Sequence, residues 1–226
     1  MKVYNFSQYS SLYNKFLSEL RDENIQKDSM RFRKNLERLG EISAYEISKT
    51  LQGYSQVTKT PLGTSKTSVP SENLVLATVL RAGLPLHNGL LKYYDNAENC
   101  FISAYRKHTS KEEFEVEIQY MASPNLTDKI VLLSDPMLAT GRSMVLAYKA
   151  LLKKGTPSKI HIVCVIGSEQ GVEYISKNFP EDTTLWIGGI DSKMTSESYI
   201  VPGLGDAGDL ALSLIHISEP TRRRGI

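Results

Sequence analysis

The stretch Val131-Leu132-Leu133-Ser134-Asp135-Pro136-Met137-Leu138-Ala139-Thr140-Gly141-Arg142-Ser143 ends an apolar run in an acid, adds a short loop, and opens a helical pattern with Thr-Gly-x-Ser. A strand that delivers its carboxyl end into such a loop makes a phosphate cradle. Backbone N–H groups at the new helix N-terminus point at the anion, the hydroxyls of Thr140 and Ser143 add donors, and Gly141 lets the backbone come close. Asp135 leads the loop, where a carboxylate can hold sugar hydroxyls or a metal ion. The stretch is not a Walker loop, because no Gly-Lys-Ser/Thr follows the glycine.

Outward from this loop the same alternation repeats. Residues 74–80 form a short, nearly continuous apolar run, as expected of a strand buried on both faces of a parallel sheet, and 99–104, 129–133, 160–166 and 184–187 read alike. Between them, 85–94, 143–153 and 168–178 have helical length and spacing. Strands alternating with helices predict an α/β fold with a doubly wound, mainly parallel sheet. Ligands of such sheets bind at the carboxyl ends of the strands, where the Asp135 loop lies.

Ahead of this core, residues of about 10–51 read as N-terminal helices. Asp28 is the expected N-cap, and Phe32, Leu36, Leu39, Ile42 and Ile47 build one apolar stripe. Arg31, Arg33, Lys34, Glu37 and Arg38 fall largely off that stripe and read as a solvated helix face. Residues 54–68, around the turn Pro61-Leu62-Gly63, read as a hairpin. Residues 112–120 alternate, with Phe114, Val116, Ile118 and Tyr120 on one face, and read as an outlying strand of a flap that follows Tyr105-Arg106. No internal repeat or low-complexity segment interrupts the chain.

Two further segments carry functional side chains. In Val79-Leu80-Arg81-Ala82-Gly83-Leu84, small residues in a strand-to-helix turn let amides face a ligand, and Arg81 adds a fixed charge. In isolation it equally describes a helix entry with a surface arginine. Tyr199-Ile200-Val201-Pro202-Gly203-Leu204-Gly205-Asp206-Ala207-Gly208-Asp209, in isolation, is an irregular glycine-rich turn. Arg106, alone, is a basic residue in a loop.

Taken together and in this order, the three segments resemble the type I phosphoribosyltransferases. The wording Asp135-Pro136-Met137-Leu138-Ala139-Thr140-Gly141 narrows the resemblance to the uracil phosphoribosyltransferases, in which proline replaces the second acid of the general signature. The resemblance spans residues 79–209, and the arginine-rich amino-terminal helix is also family-like. It implies the type I phosphoribosyltransferase fold with a β-hairpin flap and N-terminal helices. It implies transfer of the 5-phosphoribosyl group from phosphoribosyl pyrophosphate (PRPP) to N1 of uracil, giving UMP and pyrophosphate. Mg²⁺ is the implied cofactor, bound mainly through PRPP and not by a protein ligand set. A homo-oligomer is implied, and GTP activates some relatives.

By the same resemblance, Arg81, Arg106, Asp135, Pro136, Met137, Leu138, Ala139, Thr140, Gly141, Arg142, Ser143 and Asp206 contact PRPP. Ile200, Gly205, Asp206 and Ala207 contact uracil, and Asp135, Arg106 and Asp206 form the catalytic set. Arg142 stands where the family has glycine, and 107–111 depart from the acidic family wording. The base chemistry is coherent with a glycine-rich pocket. Uracil presents acceptor, donor, acceptor along O4, N3–H and O2, which main-chain groups can read, and glycines let the chain fold around a small flat base. Cytosine would leave the same buried groups mismatched, which is the strong form of discrimination.

Composition agrees. At 226 residues, 41% hydrophobic and 23% charged, the chain suits one globular α/β domain, here residues 1–211 with the core at about 70–190 and the base-binding segment at 199–209. The net charge of +2 comes from the end of the chain; without its last sixteen residues there are 24 basic and 24 acidic side chains. A neutral body lacks the footprint of a nucleic-acid binder. No apolar stretch suits a secretory leader or a membrane span, so a cytoplasmic protein without membrane partners is expected. Cys100 and Cys164 read as buried structural thiols. Residues 212–226, with their arginine run and His216, read as a non-native tail. The rival readings are a regulator of this fold that binds RNA, for which a basic face and paired acids are wanting, and a transferase for hypoxanthine or orotate, against which Gly205-Asp206-Ala207 argues.

Overall fold

The computed structural model describes residues 1–71, 73–108 and 114–212, with the backbone alone for 104–108 and 114–117. In chain order its elements are β1 (Lys2–Asn5), α1 (Leu12–Arg21), α2 (Ser29–Ser48), β2 (Gly53–Thr60), β3 (Gly63–Pro70), β4 (Leu74–Leu80), α3 (Leu84–Leu91), β5 (Glu98–His108), β6 (Phe114–Ala122), β7 (Ile130–Ser134), β8 (Met137–Leu138), α4 (Arg142–Leu151), β9 (Lys159–Ser168), α5 (Glu169–Asn178), β10 (Thr184–Asp191), β11 (Lys193–Met194), β12 (Ile200–Val201) and α6 (Ala207–Leu212). The main sheet runs β1-β10-β9-β7-β4-β5-β6, with β8 also on β9. Its neighbours pair in parallel except β6, which runs antiparallel to β5. The expected doubly wound, mainly parallel sheet is therefore present. The 54–68 hairpin is β2 and β3, paired from Gly53 opposite Pro70 to Thr60 opposite Gly63.

Period-2 alternation sends each strand's side chains into two cores. Leu74, Leu76, Leu132, Val163, Val165 and Trp186 join Tyr13, Phe32, Leu36 and Leu86 of α1–α3 on one face. Val75, Ala77, Val131, Leu133, Ile162 and Ile187 join Met144, Val145, Leu151 and Ile175 of α4 and α5 on the other. Cys100 and Cys164 are free and buried. Among the described residues no helix is long and apolar enough to cross a membrane.

The amino-terminal helices follow the sequence closely. The Asp28 side chain caps α2, accepting from the Arg31 N–H at 3.0 Å. Phe32, Leu36, Leu39 and Ile47 are buried, and Ile42 packs at the edge of the same core. The α2–α3 crossing is unusually close. A Cβ on Gly89 would lie 2.0 Å from the Glu37 carbonyl oxygen, and one on Gly40 would lie 2.3 Å from that of Leu86.

The charged face of α2 is not simply solvated. Arg31 forks onto Glu19 of α1 at 3.0 and 2.9 Å, and Arg38 lies over the Phe16 ring. Glu37 accepts from Lys34 and from Lys92 just beyond α3, while Arg33 donates to the Ala211 carbonyl of α6 at 2.8 Å. Helical periodicity marks the apolar stripe but not which neighbours the long charged side chains reach. Strand β1 was not evident either. It adds an edge strand on β10, and its Tyr4 ring stacks on Trp186 at 4.2 Å. The alternating stretch expected as a flap strand is the opposite sheet edge, with a register shift between Ser103 and Ala104. Helix α6 ends at Leu212, one residue inside the segment read as a tail, and Leu212 packs on the core. Residues 213–226, including His216 and the arginine run, lie outside the described residues.

Candidate active site

From β4 the chain turns to β5 on one side, whereas β7 lies on the other side of β4. Connections that diverge in this way leave a crevice beyond the carboxyl ends of the two central strands. A cleft of about 550 Å³ opens there, lined by Arg81 after β4, Asp135 after β7, residues 137–141, Ser143, and residues 205–208.

The loop after β7 is held rigidly from below. The Asp135 N–H donates to the Val163 carbonyl at 3.1 Å, and the Pro136 carbonyl accepts from Val165 and Ile166, both at 3.0 Å. The Ser168 hydroxyl donates to the Ala139 carbonyl at 2.6 Å and accepts from the Gly171 N–H at 2.8 Å, tying the loop to the start of α5. Gly141 caps α4 in the left-handed region at φ 75°, where an L side chain is strained. A side chain there would press on Gly171, Tyr174 and Ile175 of α5, and the ten-residue helix that Gly141 opens brings its N-terminal end, with Thr140, Gly141 and Ser143, to the cleft wall, an anion site by its dipole.

Asp135 heads this loop with one carboxylate oxygen accepting from the Met137 N–H at 3.2 Å. Burial pushes its carboxyl up to about 7, against a smaller opposing pull from that N–H. The neighbouring Cys164 thiol is raised by burial first and by the Asp135 charge second. The opposite wall is the 199–209 segment. Its Leu204 and Ala207, with Ala211 just beyond it on α6, are anchored in the core beside α2. Asp206 accepts from the Asp209 N–H at 2.9 Å, starting α6. The peptide bonds Leu80–Arg81 and Val201–Pro202 are cis.

Not every expected residue reaches the cleft. Pro136 is buried and lends its carbonyl to β9. Arg142 is the exposed first residue of α4, and its side chain is not part of the cleft wall. Ile200 is 4% exposed and belongs to the core beneath the segment. Arg106 lies on β5 opposite Val116, its side chain outside the described residues. Ser103, Met144, Ser198 and Tyr199 line the cleft although none was singled out from the sequence. Tyr199 lay within a recognised segment, whereas Ser103 and Met144 carried no signal beyond lying on a strand and a helix.

The donor set is suited to Mg²⁺ held jointly with a ligand. Asp135 and Asp206 are the carboxylates among the residues that line the cleft. Mg²⁺ commonly takes one or two carboxylates together with phosphate oxygens and water. The arrangement can thus seat a phosphate at α4, a sugar at Asp135, a second anionic group at Arg81, and a small ring against 205–207.

Residues 8–211 match a family model described as uracil phosphoribosyltransferase. A curated uracil phosphoribosyltransferase of Porphyromonas gingivalis is 54% identical over 211 residues, covering 93% of this chain and 98% of that protein. One from Thermococcus gammatolerans is 37% identical over 212 residues, covering 92% of each. Among solved structures, the AQ2163 protein from Aquifex aeolicus matches with a TM-score of 0.83 at 30% identity, covering 94% of this chain and 98% of that one.

Proposed function

The chain belongs to the uracil phosphoribosyltransferase family, and on that premise we propose that its cleft transfers the 5-phosphoribosyl group of PRPP to N1 of uracil, releasing pyrophosphate and UMP. The enzyme is a pentosyltransferase of pyrimidine salvage. One observation carries the assignment of its site: a glycine-capped helix N-terminus, a partly buried acid and the 205–207 segment share one cleft.

In this reading Thr140, Gly141 and Ser143 hold the 5′-phosphate on the first turn of α4. Asp135 accepts from the ribose hydroxyls, and Arg81 and Arg106 face the departing pyrophosphate. Main-chain groups of 205–207 read the uracil edge, and Asp206 orients the base. As the bond at ribose C1 loosens, positive charge grows on the sugar and negative charge on the leaving group. The chain's task is to hold the reactants in line and to stabilise that separation. Mg²⁺, held by substrate oxygens together with Asp135, would supply further positive charge at the pyrophosphate. Residues 1–212 form the catalytic unit, with 213–226 adding nothing to it. The direct test is formation of UMP and pyrophosphate from uracil, PRPP and Mg²⁺; no uracil-dependent pyrophosphate release overturns the reading.

A further inference from the structure

Asp191 is the last residue of β10 and Arg21 the last residue of α1. The guanidinium grips the carboxylate with both forks, Nη1 to Oδ2 at 2.8 Å and Nη2 to Oδ1 at 2.9 Å. The same two groups take up the main chain of Gly203: Arg21 Nη1 donates to its carbonyl at 2.9 Å, and its N–H donates to Asp191 Oδ2 at 3.1 Å. Room for this crossing exists because β10 carries a glycine beneath it; a Cβ on Gly189 would lie 3.1 Å from Arg21 Nη2. The pair is shielded, with 24% of the arginine and 10% of the aspartate side chain exposed. A shielded, bidentate pair that also satisfies backbone groups is far more directive than an exposed one.

We propose that the Arg21–Asp191 pair positions the base-reading segment, fixing the turn at Gly203 from which residues 205–207 enter the cleft. Neither side chain lines the cleft, so both act through Gly203. Gly203 turns at φ 62°, and any displacement there is passed within two residues to the main-chain groups that face the base. Recognition by fixed backbone donors and acceptors tolerates little misplacement. The inference rests on the reading of 205–207 as the uracil contact, given under Proposed function.

The test compares wild type with Arg21→Met, Arg21→Lys and Asp191→Asn in steady-state kinetics with each substrate varied. In Arg21→Met and Asp191→Asn the KM for uracil should rise at least about tenfold, the loss expected for hydrogen bonds to charged groups, while the KM for PRPP stays within about twofold. Arg21→Lys, which keeps the charge but not the fork, should fall between them and wild type. A folded variant with unchanged uracil KM, or with both KM values raised equally, overturns the proposal. Hydrogen exchange on the wild type gives an answer that requires no variant to fold. The Gly203 amide should be protected without substrate, and exchange at the rate of an open loop contradicts the proposal. If wild type shows no uracil-dependent turnover, the functional reading falls first, and this one with it.

Discussion

Asp135 combines a polar task with a site that disfavours its charge, and burial places its carboxyl at about 7. An unfolded aspartate titrates near about 3.9. Between these values the folded chain keeps a proton that the unfolded chain has released. The group's contribution to stability is therefore full below about pH 4 and is lost as pH rises through about 7. Asp135→Asn cannot titrate, so its stability relative to wild type should climb from pH 5 to pH 8 by on the order of a few kcal/mol. Urea unfolding at the two pH values measures this, and a constant difference would contradict the burial argument. Activity should move the opposite way. Wild-type kcat/KM for PRPP should rise across pH 7 as the carboxylate forms, whereas the variant lacks that rise and loses about 10²-fold or more. The titration of PRPP itself is common to both and cancels in their ratio. Gly141→Ala forces a Cβ into the left-handed region and to 3.0 Å from the Gly171 carbonyl, so it should cost about 1–2 kcal/mol and weaken PRPP more than uracil. Equal weakening of both substrates would count against the phosphate assignment.

Helices α2 and α3 meet through two glycines, a contact that no larger residue can share without separating them. Gly89→Ala is expected to destabilise the protein by about 1–3 kcal/mol through overpacking against backbone; an unchanged urea midpoint would contradict the close crossing. At this scale the sequence was legible wherever a pattern repeats. The α2 stripe, its Asp28 cap and the buried strands all announce themselves by period and punctuation. Strand β1 did not, because four residues with two exposed and two half-buried positions carry no decisive alternation. The polar face of α2 hides its partners for a related reason. Arg33 looks like any surface arginine until α6, far along the chain, is seen to end beneath it. Long-range partners of charged side chains leave no local trace.

The whole molecule brings three segments, separated by up to about half the chain, to one crevice because β4 and β7 are neighbours from which the connections diverge. The segments themselves were visible as wording, and the crevice followed from the parallel-sheet rule. What was not visible is which members of each segment face inward. Ile200 turns into the core and Pro136 serves β9, while Ser103 and Met144, outside the quoted wording, reach the wall. A loop's inward positions are set by the bonds beneath it, and those partners lie on other elements. Anchoring of α6 through Arg33, Leu204 and Ala211 implies that a chain ending at Leu212 keeps its uracil KM; loss of activity on that truncation would show that the remaining residues matter. Whether main-chain groups of 205–207 read uracil is decided by base competition. With PRPP and Mg²⁺ held constant, pyrophosphate release should follow uracil over cytosine by roughly 10⁴-fold, with orotate and hypoxanthine inert; comparable rates with cytosine or either other base would contradict it.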